Sequence, residues 1–235
     1  NTKQTIIPPI VAGWKIRRKS NHFKFYDQVV EEFCDFAQCD PWLINPLFDY
    51  QKNINFHERE GEEDLANKVE ELLKKIQQKY NEYHIKHDPY VVIKADAGTY
   101  GMGIMIAKHP DDVKSLNRKK RNKMSVIKEG NEVSEIIIQE GIHTEESING
   151  AVTEPVVYMI DHFVIGGFYR VHTNKEKDEN LNSPGMHFIP QPFETSCLMP
   201  DQGRPCDDEA NRFYAYGVVA RLALIAAARE IKAAS

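Results

Sequence analysis

Lys94 closes a short apolar run, Val91-Val92-Ile93-Lys94, and the nine residues after it, Ala95 to Gly103, read ADAGTYGMG. Three of those nine are glycine, and a second apolar run, Ile104 to Ala107, follows at once. Glycines let a backbone approach a ligand closely and aim its N–H groups at phosphate oxygens, and a lysine at the strand end adds a point charge. The GK[ST] of a P-loop is absent, and a strand rather than a helix follows, so the segment is not a dinucleotide fingerprint. Taken alone it fits a phosphate-binding hairpin, or a plain glycine-rich hairpin with Lys94 lying along its surface.

Three further groups could act with it. The run Ile136-Ile137-Ile138-Gln139-Glu140-Gly141-Ile142 ends in polar residues and glycine. Such an end can offer backbone groups to an adenine edge and a carboxylate to ribose hydroxyls, or it can be a solvated strand end. Arg170 closes the run from Phe163 to Val171, where a guanidinium would clamp a transferring phosphoryl group or form an ordinary ion pair. Asp161 and the stretch ENLNSPG, Glu179 to Gly185, carry hard oxygen atoms of the kind that Mg²⁺ takes beside phosphates. Asn180 and Asn182 would share a face of an extended strand, although Asn-Ser-Pro-Gly is also a good turn.

Periodicity supplies the elements that hold these groups. Leu65, Val69, Leu72, Leu73, Ile76 and Tyr80 recur at helical spacing, which predicts a helix from Glu60 to about His87, ended by Pro89. Strands are predicted at Tyr90–Lys94, Ile104–Ala107, Glu135–Gln139, Val156–Asp161 and Phe163–Val171, the last two joined by a tight turn near His162. A helix is expected to start at His109-Pro110-Asp111-Asp112 and to run on into the basic segment Asn117–Lys123. A final helix, about Glu209 to Glu230, is apolar nearly all round and is expected to be buried. The first 58 residues read as irregular except for a short helical stretch near Tyr26–Phe36. The expected division is a linker or substrate-side region, 1–88, and a nucleotide-binding domain, 89–235.

Composition is that of a folded globular chain: 235 residues, 41% hydrophobic, 28% charged. A net charge of −5 argues against wholesale binding to nucleic acid or to an anionic membrane, and Arg118–Lys123 reads as a solvated helix face. A second basic patch, Lys15, Arg17, Arg18, Lys19 and His22, would suit a carboxylate substrate. The four cysteines lack paired spacing and read as reduced thiols, which together with the absence of a signal peptide leads us to expect a cytoplasmic protein. The chain starts at Asn1 with a strand-like IIPPIV close behind, the pattern of a piece cut from a longer protein.

Taken in order, a glycine-loop hairpin, a helix, an adenine-side strand and a strand pair with an acid and an arginine resemble the ATP-grasp superfamily. More closely, KADAGTYGMGIM, RKKRNKM, IIIQEGI, EPVVYMIDHFVIGGFYRVHTN, ENLNSPGMHF and YAYGVVARLALIAAARE look like the proteobacterial ATP-grasp glutamate–cysteine ligases, as do AGWKIRRKSNHF and DPWLINPLF. The resemblance implies an α+β ATP-grasp fold, two subdomains enclosing the nucleotide, and Mg²⁺ with ATP. It implies glutamate and cysteine as substrates: the γ-carboxylate takes the γ-phosphoryl, and the cysteine amine then displaces phosphate, the first step of glutathione synthesis. Carried over by residue, Lys94, Gly98, Thr99, Tyr100, Gly101 and Gly103 hold the phosphates, and Gln139, Glu140 and Ile142 line the base and ribose. Arg170, with Lys94, serves the transfer, and Asp161, Asn180 and Asn182 take the metal. Two departures stand beside it. Family members are longer at the N-terminus, and the usual Glu-x-Asn metal pair is replaced by Asn180-x-Asn182 with Glu179 one place out of register. Another ATP-grasp ligase or kinase, or a nucleotide-binding module without turnover, are the alternative readings.

Overall fold

A computed structural model describes residues 17–98, 103–125, 132–190 and 211–234. By its contacts the chain separates into two compact units, Asn1–Ile142 with Ala227–Ser235, and His143–Ala226. The boundary expected near residue 88 falls inside the first unit, because strands from both sides of it pair in one sheet.

In the first unit, α1 spans Lys19–Ala37, β1 Phe48–Lys52, α2 Glu62–Glu82, β2 Val91–Ala95, β3 Ile104–Ala107, α3 Asp111–Lys114, α4 Arg118–Ser125 and β4 Glu135–Glu140. The strands form one antiparallel sheet in the order β1-β4-β2-β3. Helix α2 forms where the apolar stripe predicts it. Glu62, Glu63 and Asp64 sit at its positive end and Lys79 in its last turn, both favourable to the helix dipole. Its buried stripe packs on the sheet face made by Val91, Ile93, Ala95, Ala107, Ile136 and Ile138, which is the core of this unit.

Three readings of the sequence need correction here. The stretch taken as irregular contains β1, and α1 is longer than the expected stretch near residues 26–36. One helix from His109 to Lys123 is instead two: α3 stops at Lys114, and Asn117 starts α4 afresh by accepting the Lys120 N–H on its side-chain oxygen at 2.9 Å. The basic side chains of α4 do lie largely in solvent.

In the second unit, β5 (Ser147–Ile148), β6 (Ala151–Ile160), β7 (Phe163–His172) and β8 (His187–Pro190) form an antiparallel meander. Pro155 is tolerated within β6 because β5 covers only Ala151 and Val152, leaving β6 an open edge beyond them. Ala151, Tyr169 and Val171 make a small core with Ile148 and Ile189.

Helix α5, Arg212–Ala234, has residues in both units. It was expected to be buried, and among the described residues it is not: Leu222, Ala226 and Glu230, four apart, are covered, while Val219, Leu224 and Ile225 stay exposed. A helix apolar all round has no unique buried face, and here cover is fullest along that stripe and at Gly217. No helix among the described residues is long and apolar enough to cross a membrane.

Candidate functional site

Strand pairing decides which side chains can act together. Residues directly opposite each other in a sheet point to the same face, and neighbours along a strand point to opposite faces. Val92 is paired with Gln139 and Lys94 with Ile137, so Lys94 and Gln139 project from the face away from α2. There the Lys94 ammonium donates to the Gln139 side-chain oxygen at 2.7 Å. Val92, Ile104 and Ile106 are half-buried beside it, an apolar shelf around one cation. Burial lowers the Lys94 pKa. Gln139 is its hydrogen-bond acceptor among the described residues, which leaves ammonium N–H groups for a ligand.

Glu140, next along β4, faces the other way. It is 3% exposed, and its carboxylate accepts from the Trp42 indole at 3.0 and 3.2 Å and from the Leu47 N–H at 2.9 Å. Burial raises its pKa, with those donors opposing. Beyond it, the Gly141 N–H donates to the Tyr90 carbonyl, and a Cβ at Gly141 would lie 2.0 Å from the Tyr90 ring, so only glycine fits. The Tyr90 hydroxyl donates to the Ile142 carbonyl at 2.8 Å, and the Ile142 side chain is exposed.

The glycine loop is tied at its first half by α1. The Lys19 ammonium donates to the carbonyls of Ala95, Asp96, Ala97 and Gly98 at 2.8, 3.3, 3.2 and 3.0 Å. Burial, with Lys94 and Arg18 nearby, brings the Lys19 pKa down to about 8. The Asp96 carboxylate in turn accepts from the Ser20 N–H at 2.7 Å and the Ser20 hydroxyl at 2.6 Å, capping the positive end of α1. Gly98 and Gly103 both have positive φ, 81° and 64°. Thr99, Tyr100 and Gly101 lie outside the described residues. The basic patch read from the sequence is dispersed: Arg17 and His22 meet Glu230, Arg18 meets Glu135, and Lys19 holds the loop. Lys19 carried no distinct signal in the sequence, since the carbonyls it serves are more than 75 residues away.

Arg170 and Glu154 are directly opposed on β7 and β6 and form an ion pair through Nη1. The Arg170 Nε is buried without a partner among the described residues. An orphaned guanidinium donor beside a satisfied one is the arrangement that an added anion completes. Asp161 stands at the other end of the same hairpin, at φ 52° in the β6–β7 turn, exposed and paired with His162. Seven strand steps, Phe163 to Arg170, separate the turn from Arg170, roughly 23 Å at strand rise. The Asn180 side chain accepts the Asn182 N–H at 3.0 Å, the turn that its sequence also allowed. That loop folds back on the Arg170 end, where buried His172 takes the Asn174 N–H on Nδ1 and so donates Nε2–H to the Pro184 carbonyl. Asp161 and the asparagine pair therefore do not meet within this unit. No cluster of three or more His, Cys, Asp or Glu side chains suited to a metal occurs among the described residues.

The family described as glutamate-cysteine ligase matches this sequence over residues 1–231. A solved structure from Methylobacillus flagellatus KT, provisionally named a gamma-glutamylcysteine synthetase, is 61% identical with a TM-score of 0.87. The match covers 99% of this chain and 55% of that one, so the chain spans about half the length of this relative. No curated protein matches.

Proposed function

We propose, on the premise that the chain belongs to the glutamate–cysteine ligase family, that it supplies the nucleotide-binding part of an ATP-dependent ligase of the ATP-grasp type. The substrates are glutamate and cysteine. The glutamate γ-carboxylate attacks the γ-phosphorus of ATP, ADP leaves, and the cysteine amine then displaces phosphate from the acyl carbon. No enzyme nucleophile is needed, so the chain's work is positioning and charge neutralisation.

The observation that carries this reading is Lys94: a half-buried ammonium at the end of β2, with one side-chain acceptor among the described residues, on an apolar shelf at the start of the glycine loop. Lys94 and the loop Gly98–Gly103, including Thr99, Tyr100 and Gly101, hold the phosphates. Gln139 and Ile142 line the base and ribose side. Glu140 serves from behind, its buried carboxylate fixing Trp42 and Leu47 and with them the end of β4. Arg170 takes the transferring phosphoryl group with its Nε, which has no acceptor among the described residues. Asn180 and Asn182, on the Arg170 side, would offer oxygen ligands to Mg²⁺, which would neutralise phosphate charge there, while Asp161 stands away from them.

ADP release by the native polypeptide, assayed with a panel of amino acids, tests the reading. Turnover that requires glutamate and cysteine together supports it. Turnover with another acceptor, or tight nucleotide binding without turnover, overturns the substrate assignment in favour of another ligase or a non-catalytic module.

A further inference from the structure

The end of α1 holds a pair of groups that the ligase reading leaves unused. Gln38 adopts a left-handed conformation at φ 53°, and the N–H groups of both Gln38 and Cys39 turn back to the Cys34 carbonyl. This is the six-to-one closure of a Schellman turn, and that closure brings the side chain just past the helix against the one a turn inside it. In most such turns the touching pair is apolar. Here it is Cys39 and Cys34, whose sulfur atoms lie 2.8 Å apart. A covalent S–S bond is about 2.05 Å, so a shift of under about 1 Å closes it.

The surroundings give the pair an order of reaction and a reach. Cys34 is buried at 2% exposure, and Cys39 is half-buried at the mouth of the turn. Burial pushes the Cys34 thiol up to about 12, so Cys39 is the sulfur that meets a reagent first. The next residue, Asp40, accepts from Lys79 at 2.6 Å, from the Tyr83 hydroxyl at 2.8 Å and from the Trp42 N–H at 2.9 Å. It starts the 3-10 turn Pro41–Leu43 that seats the Trp42 indole on Glu140. Cys39 therefore directly precedes the segment that carries Trp42 to Glu140.

We propose that Cys34 and Cys39 form a reversible dithiol–disulfide pair, oxidised by a small-molecule disulfide, and that the closed form stiffens the Gln38–Ile44 turn beneath Glu140. Cys39 gives up its proton and its sulfur attacks one sulfur of the reagent. The reagent's S–S bond breaks, and one small thiol leaves with a proton. The Cys34 sulfur then attacks Cys39 Sγ in the mixed disulfide, and the second small thiol leaves with the Cys34 proton. Two protein thiols are oxidised and one small disulfide is reduced to two thiols, and excess small thiol runs the sequence backwards. In reducing compartments, disulfides that do form are usually transient and catalytic or redox-sensing.

The test does not depend on the ligase reading, since it reads thiols and amide exchange. The protein carrying Cys197→Ser and Cys206→Ser keeps Cys34 and Cys39 as the remaining two of its four cysteines. Equilibrated with glutathione disulfide, its free thiols should fall from two to none. The peptide carrying both cysteines should lose about 2 Da, as loss of two hydrogens requires, and dithiothreitol should restore both thiols. Amide exchange over Gln38–Ile44 should slow in the oxidised form. Cys34→Ala should instead retain a stable glutathione adduct on Cys39. Peptide mapping of the unsubstituted protein guards against a folding defect in the double variant and should find the same Cys34–Cys39 link. Persistence of both thiols, a lasting glutathione adduct when both cysteines are present, or unchanged exchange over the turn overturns the proposal.

Discussion

The Lys94 ammonium donates to the Gln139 side-chain oxygen at 2.7 Å, and the pairing of β2 with β4 sets both on the face of the sheet away from α2. A lysine held this way is already partly stripped of water, so a phosphate gains more from it than from a solvated cation. Lys94→Ala should weaken MgATP binding by about 1.5–3 kcal/mol, the range for a lost hydrogen bond to a charged group. Calorimetry with a non-hydrolysable ATP analogue reads this directly, and an unchanged affinity removes Lys94 from the site.

Glu140 gives a stability prediction of the opposite kind. Glu140→Leu deletes the acceptor of two donors, the Trp42 indole and the Leu47 N–H. Each donor left unpaired costs roughly 1–3 kcal/mol. Urea unfolding should show that loss, and Trp42→Phe in the same background should add less than it costs alone, because the two changes share one interaction. Simple additivity would mean that the Trp42–Glu140 contact carries no energy.

These two neighbours also mark how far the sequence could be read. The stripe of α2, the run ending at Lys94 and the triple isoleucine of β4 were legible because burial on one face imposes a period. Strand β1, Phe-Asp-Tyr-Gln-Lys, was not, since its polar alternate residues hide an edge strand in an aromatic, proline-rich stretch. That Gln139 and Glu140 cannot line one surface followed from strand alternation and was available before any coordinates. The separation of Asp161 from Asn180 was likewise latent in the ten-residue length of β7. The Lys19 grip on Ala95–Gly98 was not available, because it depends on α1 returning to the loop from far away in sequence.

Lys19 yields a pH dependence with a definite sign. Its ordinary value is 10.5, and burial brings it to about 8 in the folded protein. Between those values the unfolded chain still holds a proton that the folded chain has released, so the Lys19 contribution to stability rises with pH across that window. Below the folded value both states are protonated and the contribution is flat. Lys19→Met should remove this rising component, which urea unfolding at about pH 7, 9 and 10 would show as a lower slope. Equal slopes in the two proteins would mean that Lys19 titrates normally.

Arg170 turns the proposed transfer role into a kinetic prediction. Its Nη1 is held by Glu154 from the facing strand, while its Nε is buried and unpaired among the described residues. The ion pair fixes the guanidinium plane and leaves one donor without an acceptor among the described residues. A donor preorganised for charge that develops during transfer lowers the barrier more than it tightens ground-state binding. Arg170→Ala should therefore reduce kcat of the native polypeptide by about 10²–10³-fold with little change in nucleotide affinity. Arg170→Lys keeps the charge but loses the planar fork, so its rescue should be partial. Glu154→Gln separates orientation from charge: it keeps a side-chain oxygen for Nη1 while removing the anion, and should cost less than Arg170→Ala. If Arg170→Ala weakens ATP binding and leaves kcat at saturation unchanged, Arg170 is a ground-state anchor. If neither quantity moves while Glu154→Gln and Arg170→Ala destabilise the fold alike, the pair is an ordinary cross-strand salt bridge and the phosphoryl group is held by other residues.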